Sequence, residues 1–161
     1  MDKKGSLQDV IFIAGVMLVI SISLLVGFKM TDSFNEQVQG LDIVPDDAKE
    51  SMAQFNGYYP SVMDSAVLFV LVGLIIVALI FAFLIRVHPV FIVFYLILLV
   101  VIVFISAIFS NIYEQVSQDP NMIAQASQLT FTSNIMNFLP FIIGIVGFII
   151  AIVMFKRGGE R

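Results

Sequence analysis

The chain has 161 residues, 60% of them hydrophobic and only 12% charged, with a net charge of −4 and no cysteine. Soluble domains are about half apolar and a quarter charged, so this chain has too little polar surface to cover a globule in water, and lipid is its simplest solvent. The missing thiols exclude a disulfide framework, a thiolate metal site and a thiol nucleophile, and the acidic balance speaks against a nucleic-acid partner, which needs a basic patch.

A helix crossing roughly 30 Å of hydrocarbon needs about 20 mostly apolar residues. The first such run is Val10 to Phe28. It follows Lys3 and Lys4, as a signal peptide would, but its apolar core is longer than a usual signal and no small-x-small cleavage site follows. The segment Lys3-Lys4-Gly5-Ser6-Leu7-Gln8-Asp9 resembles the short basic, glycine-ended leader of type IV pilin precursors. Three further spans follow, which excludes a pilin and predicts an uncleaved anchor.

Residues 31–60 form the larger outer segment. Phe34 and Val38 lie four apart, which predicts that span one continues as amphipathic helix for about two turns, with Gly40 as its stop. Pro45-Asp46-Asp47-Ala48 predicts the start of a short helix running through Phe55, and Asn56-Gly57 a turn after it. Ser61 with Asp64 reads as a capping box for span two. The acidic residues Asp42, Asp46, Asp47 and Glu50 lack the spacing and glycine of a calcium loop, so they read as a solvated face suited to docking a partner rather than as a metal site. Tyr58 and Tyr59 read as part of an interfacial aromatic belt, or as an aromatic spot for the same partner.

Span two is Val67 to Ile85 and span three Val90 to Phe109, joined by a turn holding Arg86, His88 and Pro89. The smaller outer segment, 111–131, repeats the four-residue spacing with Ile112 and Val116, and Pro120 marks its stop. Span four is Phe138 to Phe155, with Pro140 in its first turn, where a helix tolerates proline best. All four runs lack charged residues and are apolar on every face, unlike amphipathic soluble helices or the alternating strands of a barrel. The expected fold is therefore all-α: an integral membrane four-helix protein forming one membrane domain over residues 1–161.

Orientation follows from the basic ends. Lys3, Lys4, Arg86, Lys156, Arg157 and Arg161 fall in three regions that must share one side of a four-span protein, and the opposite loops are acidic. The positive-inside rule then predicts both termini on the cytoplasmic side. Each half of the chain reads as span, outer segment, span and basic end. Glu36-Gln37-Val38 and Glu114-Gln115-Val116 fall just beyond spans one and three, and Val62-Met63-Asp64 and Ile135-Met136-Asn137 precede spans two and four. That pattern raises a tandem duplication of two parallel helical hairpins.

Small residues let spanning helices approach closely. Ser23 and Gly27 in span one, Gly73, Ala78 and Ala82 in span two, and Gly144, Gly147 and Ala151 in span four are the expected packing positions. Span three has no Gly, Ala or Ser between Val90 and Ile105, which predicts a face of bulky side chains toward lipid or a partner. No Asp, Glu, Lys, Arg or His lies inside a span, which lowers the case for a pump or proton-coupled carrier. His88 reads as a loop residue, and no nucleophile elbow, phosphate loop, zinc or dinucleotide motif is present. The sequence thus predicts no enzyme and no cofactor.

The leader Lys3 to Asp9, the stretch Ser110-Asn111-Ile112-Tyr113-Glu114 and the run Asn137-Phe138-Leu139-Pro140 together resemble small tetraspan membrane proteins of tailless membrane-containing viruses and related mobile elements. The resemblance implies a protein that sits in a membrane and docks to an assembly above it, with other membrane or coat proteins, or further copies of itself, as partners. It carries over no functional residues. A structural or assembly role is the first expectation, an oligomeric pore or holin-like channel the second, since the spans offer few polar lining groups such as Ser21 and Ser23, and a carrier the third, for want of intramembrane charge.

Overall fold

In the computed structural model, the structure describes residues 5–84 and 89–158, with side chains over 11–84 and 93–156. Lys3, Lys4, Arg86, His88 and Arg161, and the side chains of Asp9, Pro89 and Arg157, lie outside this description. The turn before span three and the basic groups other than Lys156 at the chain ends fall there with them.

The described residues form six helices: α1 Gly5–Gln39, α2 Asp46–Leu84, α3 Pro89–Ser117, α4 Ile123–Gln128, α5 Thr130–Asn137 and α6 Leu139–Gly158. α1, α2, α3 and α6 are long and apolar enough to cross a membrane, and each overlaps one of the four runs read from the sequence, although Ile85 lies outside the described residues and Phe138 falls between α5 and α6. The chain is an all-α protein built to embed in a bilayer.

α1 ends where Gly40 was expected to stop it, with the Gly40 N–H donating to Glu36 and Gln37 carbonyls at 3.3 and 3.2 Å. α2 departs from expectation. It runs unbroken for 39 residues through Asn56-Gly57 and carries Pro60 in its interior, buried. The local turn preference of Asn-Gly is a weak prior that tertiary packing overrides. Here α1 supplies the packing: the Gln39 amide donates to the Lys49 carbonyl at 2.8 Å, Asn56 donates to Asp32, and Tyr59 stacks on Phe28 with centroids 5.5 Å apart. Pro60 still removes one helical N–H, leaving the Asn56 carbonyl without its i+4 donor. Ser61 and Asp64 sit in mid-helix, so they form no capping box for span two. Ser61 instead accepts the Ser65 hydroxyl on its carbonyl at 2.8 Å.

The contacts between α1 and α2 run antiparallel. Extended one residue for one residue from Asp32–Asn56, they set Asp64 level with Leu24. Thr132 bonds to Asp64, and Tyr113 on α3 bonds to Ser133, so α5 and the end of α3 share that level. Spans two and four thus begin, and span three ends, at or below it, whereas the apolar run of α1 continues to Phe28, roughly 6 Å further at 1.5 Å per residue. Those last residues of α1 are covered by protein: Leu25 and Phe28 are fully buried in a small second core with Ala126 and Leu129, flanked by Tyr59, Val116 and Met122. The main core lies among α1, α2, α3 and α6 and includes Met17, Val67, Leu99, Ile102, Tyr113 and Ile150.

The small residues divide into those at close crossings and those that are not. A Cβ on Gly147 would collide with the Leu99 side chain, so this glycine lets α3 seat a bulky leucine on α6. The Tyr95 hydroxyl donates to the Gly147 carbonyl at 3.1 Å in the same place. α3 therefore does more than face lipid. It packs on both α6 and α1, the space coming from its partner's glycine. Gly144 approaches Val103 at ordinary contact distance, and Gly27 approaches the Tyr59 hydroxyl, 2.9 Å from where a Cβ would stand. Ala78, Ala82 and Ala151 are buried. Ser23, in contrast, lies on the exposed face of α1, because the buried face is phased on Ser21, Leu25 and Phe28. Gly73 is half-buried with nothing near its missing Cβ, so it marks no close crossing.

Candidate functional site

The polar side chains that the structure brings together lie at one end of the bundle, where α4 and α5 form a cap between α1, α2 and α3. Asp64 is the anchor. It is only 4% exposed, and its carboxylate accepts the Phe131 N–H at 2.7 Å, the Thr132 N–H at 2.6 Å and the Thr132 hydroxyl at 2.7 Å. The residue preceding α5 is Leu129, which has no side-chain oxygen to offer the free N–H groups of the first turn. Asp64 supplies the missing cap from another helix, and its negative charge meets the positive end of the α5 dipole.

Asp32 is the second anchor. One carboxylate oxygen accepts Asn56 Nδ2 of α2 at 3.0 Å and the other accepts Gln125 Nε2 of α4 at 2.7 Å. One α1 carboxylate thereby joins three helices. Tyr113 adds a third link: its hydroxyl shares a 3.0 Å hydrogen bond with Ser133 Oγ, and Ser133 donates to the Ala126 carbonyl at 3.2 Å, joining α3 to α5 and α4. Asp32, Gln125 and Thr132 were not singled out by the sequence reading. Their signal is a partner up to 93 positions away, which no local spacing displays.

Beyond the cap, α1 and α2 continue alone. Between them lies a cleft of about 560 Å³ lined by Met30, Phe34, Met52 and Phe55 with Lys29 at its edge. At the tip, Asp42, Asp46, Asp47 and Glu50 are all exposed, and so are Leu41 and Ile43, the latter at 88%. Asp46 and Asp47 occupy the first turn of α2, where carboxylates complement the helix dipole. The two tyrosines separate. Tyr58 is 69% exposed, whereas Tyr59 is half-buried between Phe28 and Phe55 and belongs to the second core. Among the described residues, no group of three or more His, Cys, Asp or Glu side chains is placed to hold a metal ion.

The site is thus a polar cap with an acidic, partly apolar projection above it. No protein-family model, curated protein or solved structure matches the chain.

Proposed function

We propose that the chain is a non-enzymatic structural or assembly component of a membrane, such as a virion or other envelope complex, that docks a partner through the projecting tip of α1 and α2. In this reading it consists of two tandem hairpins, α1–α2 and α3–α6, with both termini on the cytoplasmic or inner side and the cap outside. The observation that carries it is the projection itself. From the level of Asp64 and Leu24 to Gln39 the paired helices rise about 22 Å at 1.5 Å per residue, braced at their base. They end in four exposed carboxylates beside exposed Leu41 and Ile43. A rigid support ending in mixed charged and apolar groups suits recognition of a basic, partly apolar surface on a coat or membrane protein.

The test is purification of the native protein from its own membrane or particle in mild detergent, followed by mass spectrometry of what remains bound. A stoichiometric coat or membrane protein that is lost from the D46K/D47K variant supports docking through the tip. A homo-oligomer with no other partner, and with conductance in lipid bilayers, overturns it in favour of a pore.

A further inference from the structure

The Asp32 junction contains an imbalance that hydrogen bonding within the chain does not resolve. Asn56 and Gln125 both turn their amide N–H groups to the Asp32 carboxylate, and that choice fixes where their oxygens go. Reversing either amide would set oxygen against carboxylate. Asn56 Oδ1 and Gln125 Oε1 are consequently buried without a donor, although Gln125 is only 2% exposed. Because each amide nitrogen lies within hydrogen-bond distance of the same carboxylate, both orphan oxygens stand within about 5 Å of it. Buried acceptors left unpaired are costly, and native proteins satisfy nearly all of them.

The junction is therefore a cluster of acceptors: two carboxylate oxygens carrying one negative charge and two amide oxygens. No salt bridge neutralises Asp32 among the described residues; its only side-chain partners there are the two neutral amides. A set of hard oxygen donors with a single negative charge suits a hard cation of low charge. Calcium sites employ six to eight oxygens and commonly several carboxylates, more than this junction offers, and magnesium gives up its water reluctantly. We infer that Asp32, Asn56 and Gln125 form a binding site for an alkali cation of the sodium type, completed by water, at the joint where α1, α2 and α4 meet. Occupancy would satisfy both orphan oxygens, neutralise the carboxylate and fasten the cap to the base of the projection. This inference does not depend on the docking proposal, since it concerns the base of the projection and not its tip.

The experiment uses the full-length protein in detergent. Thermal unfolding is compared in sodium, potassium and N-methylglucamine chlorides at equal ionic strength, with calcium chloride as a separate arm. A ligand that binds only the folded state raises the transition in proportion to the logarithm of its concentration, so sodium, potassium or both should raise Tm by roughly 3 °C at 150 mM relative to N-methylglucamine. The increment should vanish in Asp32→Asn. Because that variant can also weaken the fold, Gln125→Glu gives the complementary test. It adds a carboxylate where the orphan oxygen stands, so it should lower stability without alkali cation and shift the cation titration midpoint about tenfold lower. Equal Tm in all monovalent salts, with Gln125→Glu destabilised alike in each, would mean that the junction holds water alone and would overturn the site. Stabilisation by calcium only, unchanged in Asp32→Asn, would do the same and point to the acidic tip.

Discussion

The α1–α2 pair and the α3–α6 pair start from similar sequence patterns and end differently. Past the level of Asp64, α1 and α2 continue as two long helices joined by a short connection over 40–45. In the other pair, α3 stops at Ser117, and the chain returns through two short helices, α4 and α5, before α6 begins at Leu139. The first pair presents acceptors, Asp32 and Asp64, and the second presents donors, the Gln125 amide and the free N–H groups that open α5. If the halves descend from one duplicated hairpin, as their matching segments raise, they have become complementary and no longer repeat one another. The pair with broken helices covers the apolar end that the unbroken pair leaves above the other spans.

The largest test of that complementarity is Asp64→Ala. It strips the cap from α5 and leaves two backbone N–H groups and a buried hydroxyl unpaired, each a cost of about 1–3 kcal/mol. The expected loss is therefore on the order of 3 kcal/mol or more, with Asp64→Asn recovering part of it, read from unfolding in detergent. Faster labelling of cysteines placed in α5 would locate the damage; unchanged labelling would show that α5 does not depend on the α2 carboxylate.

Next in size is the crossing within the second pair. Gly147→Ala should destabilise by about 1–3 kcal/mol through the clash with Leu99, and Leu99→Ala in the same chain should relieve much of it. Gly73→Ala, with nothing near its Cβ, should be neutral or slightly stabilising, since alanine restricts the unfolded chain more than glycine. Equal effects at the two glycines would remove the distinction drawn between them.

A smaller effect is expected where single hydroxyls link α3 to the rest. Tyr113→Phe loses the bond to Ser133, and Tyr95→Phe the bond to the Gly147 carbonyl. Each should cost about 1 kcal/mol or less, in line with hydrogen bonds between spanning helices. Smallest of all on stability is D46K/D47K at the exposed tip. It should cost roughly 1 kcal/mol through the α2 dipole while reducing partner recovery in the purification described above. A fold destroyed by this change would mean that the tip is structural and not a docking surface.

The spans were legible because a bilayer imposes a rule that is local in sequence: about 20 consecutive apolar residues. Gly40 as the stop of α1 was legible for a similar reason. Asn56-Gly57 misled, because its turn chemistry is local, whereas the continuity of α2 is set by Asp32, Phe28 and Gln39 on another helix. Asp64 misled in the same way. Its spacing from Ser61 imitates a cap for its own helix, while the helix it caps begins with Thr130. Ser23 and Gly73 show the limit of composition alone, since a small residue marks a close crossing only when the phase of the helix turns it inward.

The Asp64–Thr132 contact also bears on how the chain is made. Its two residues are 68 positions apart, and the Gln125 contact with Asp32 spans 93. At roughly 5–20 residues per second, a ribosome needs about 3 to 14 seconds between delivering Asp64 and delivering Thr132. During that interval the first two helices have no cap. Until then the Asp64 carboxylate lacks its donors on α5, and Leu25 and Phe28 lack the cover of Ala126 and Leu129. The pairing of α1 and α2 is thus a provisional state that the last quarter of the chain completes, and a polypeptide truncated before Ile123 should be a marked substrate for membrane quality control.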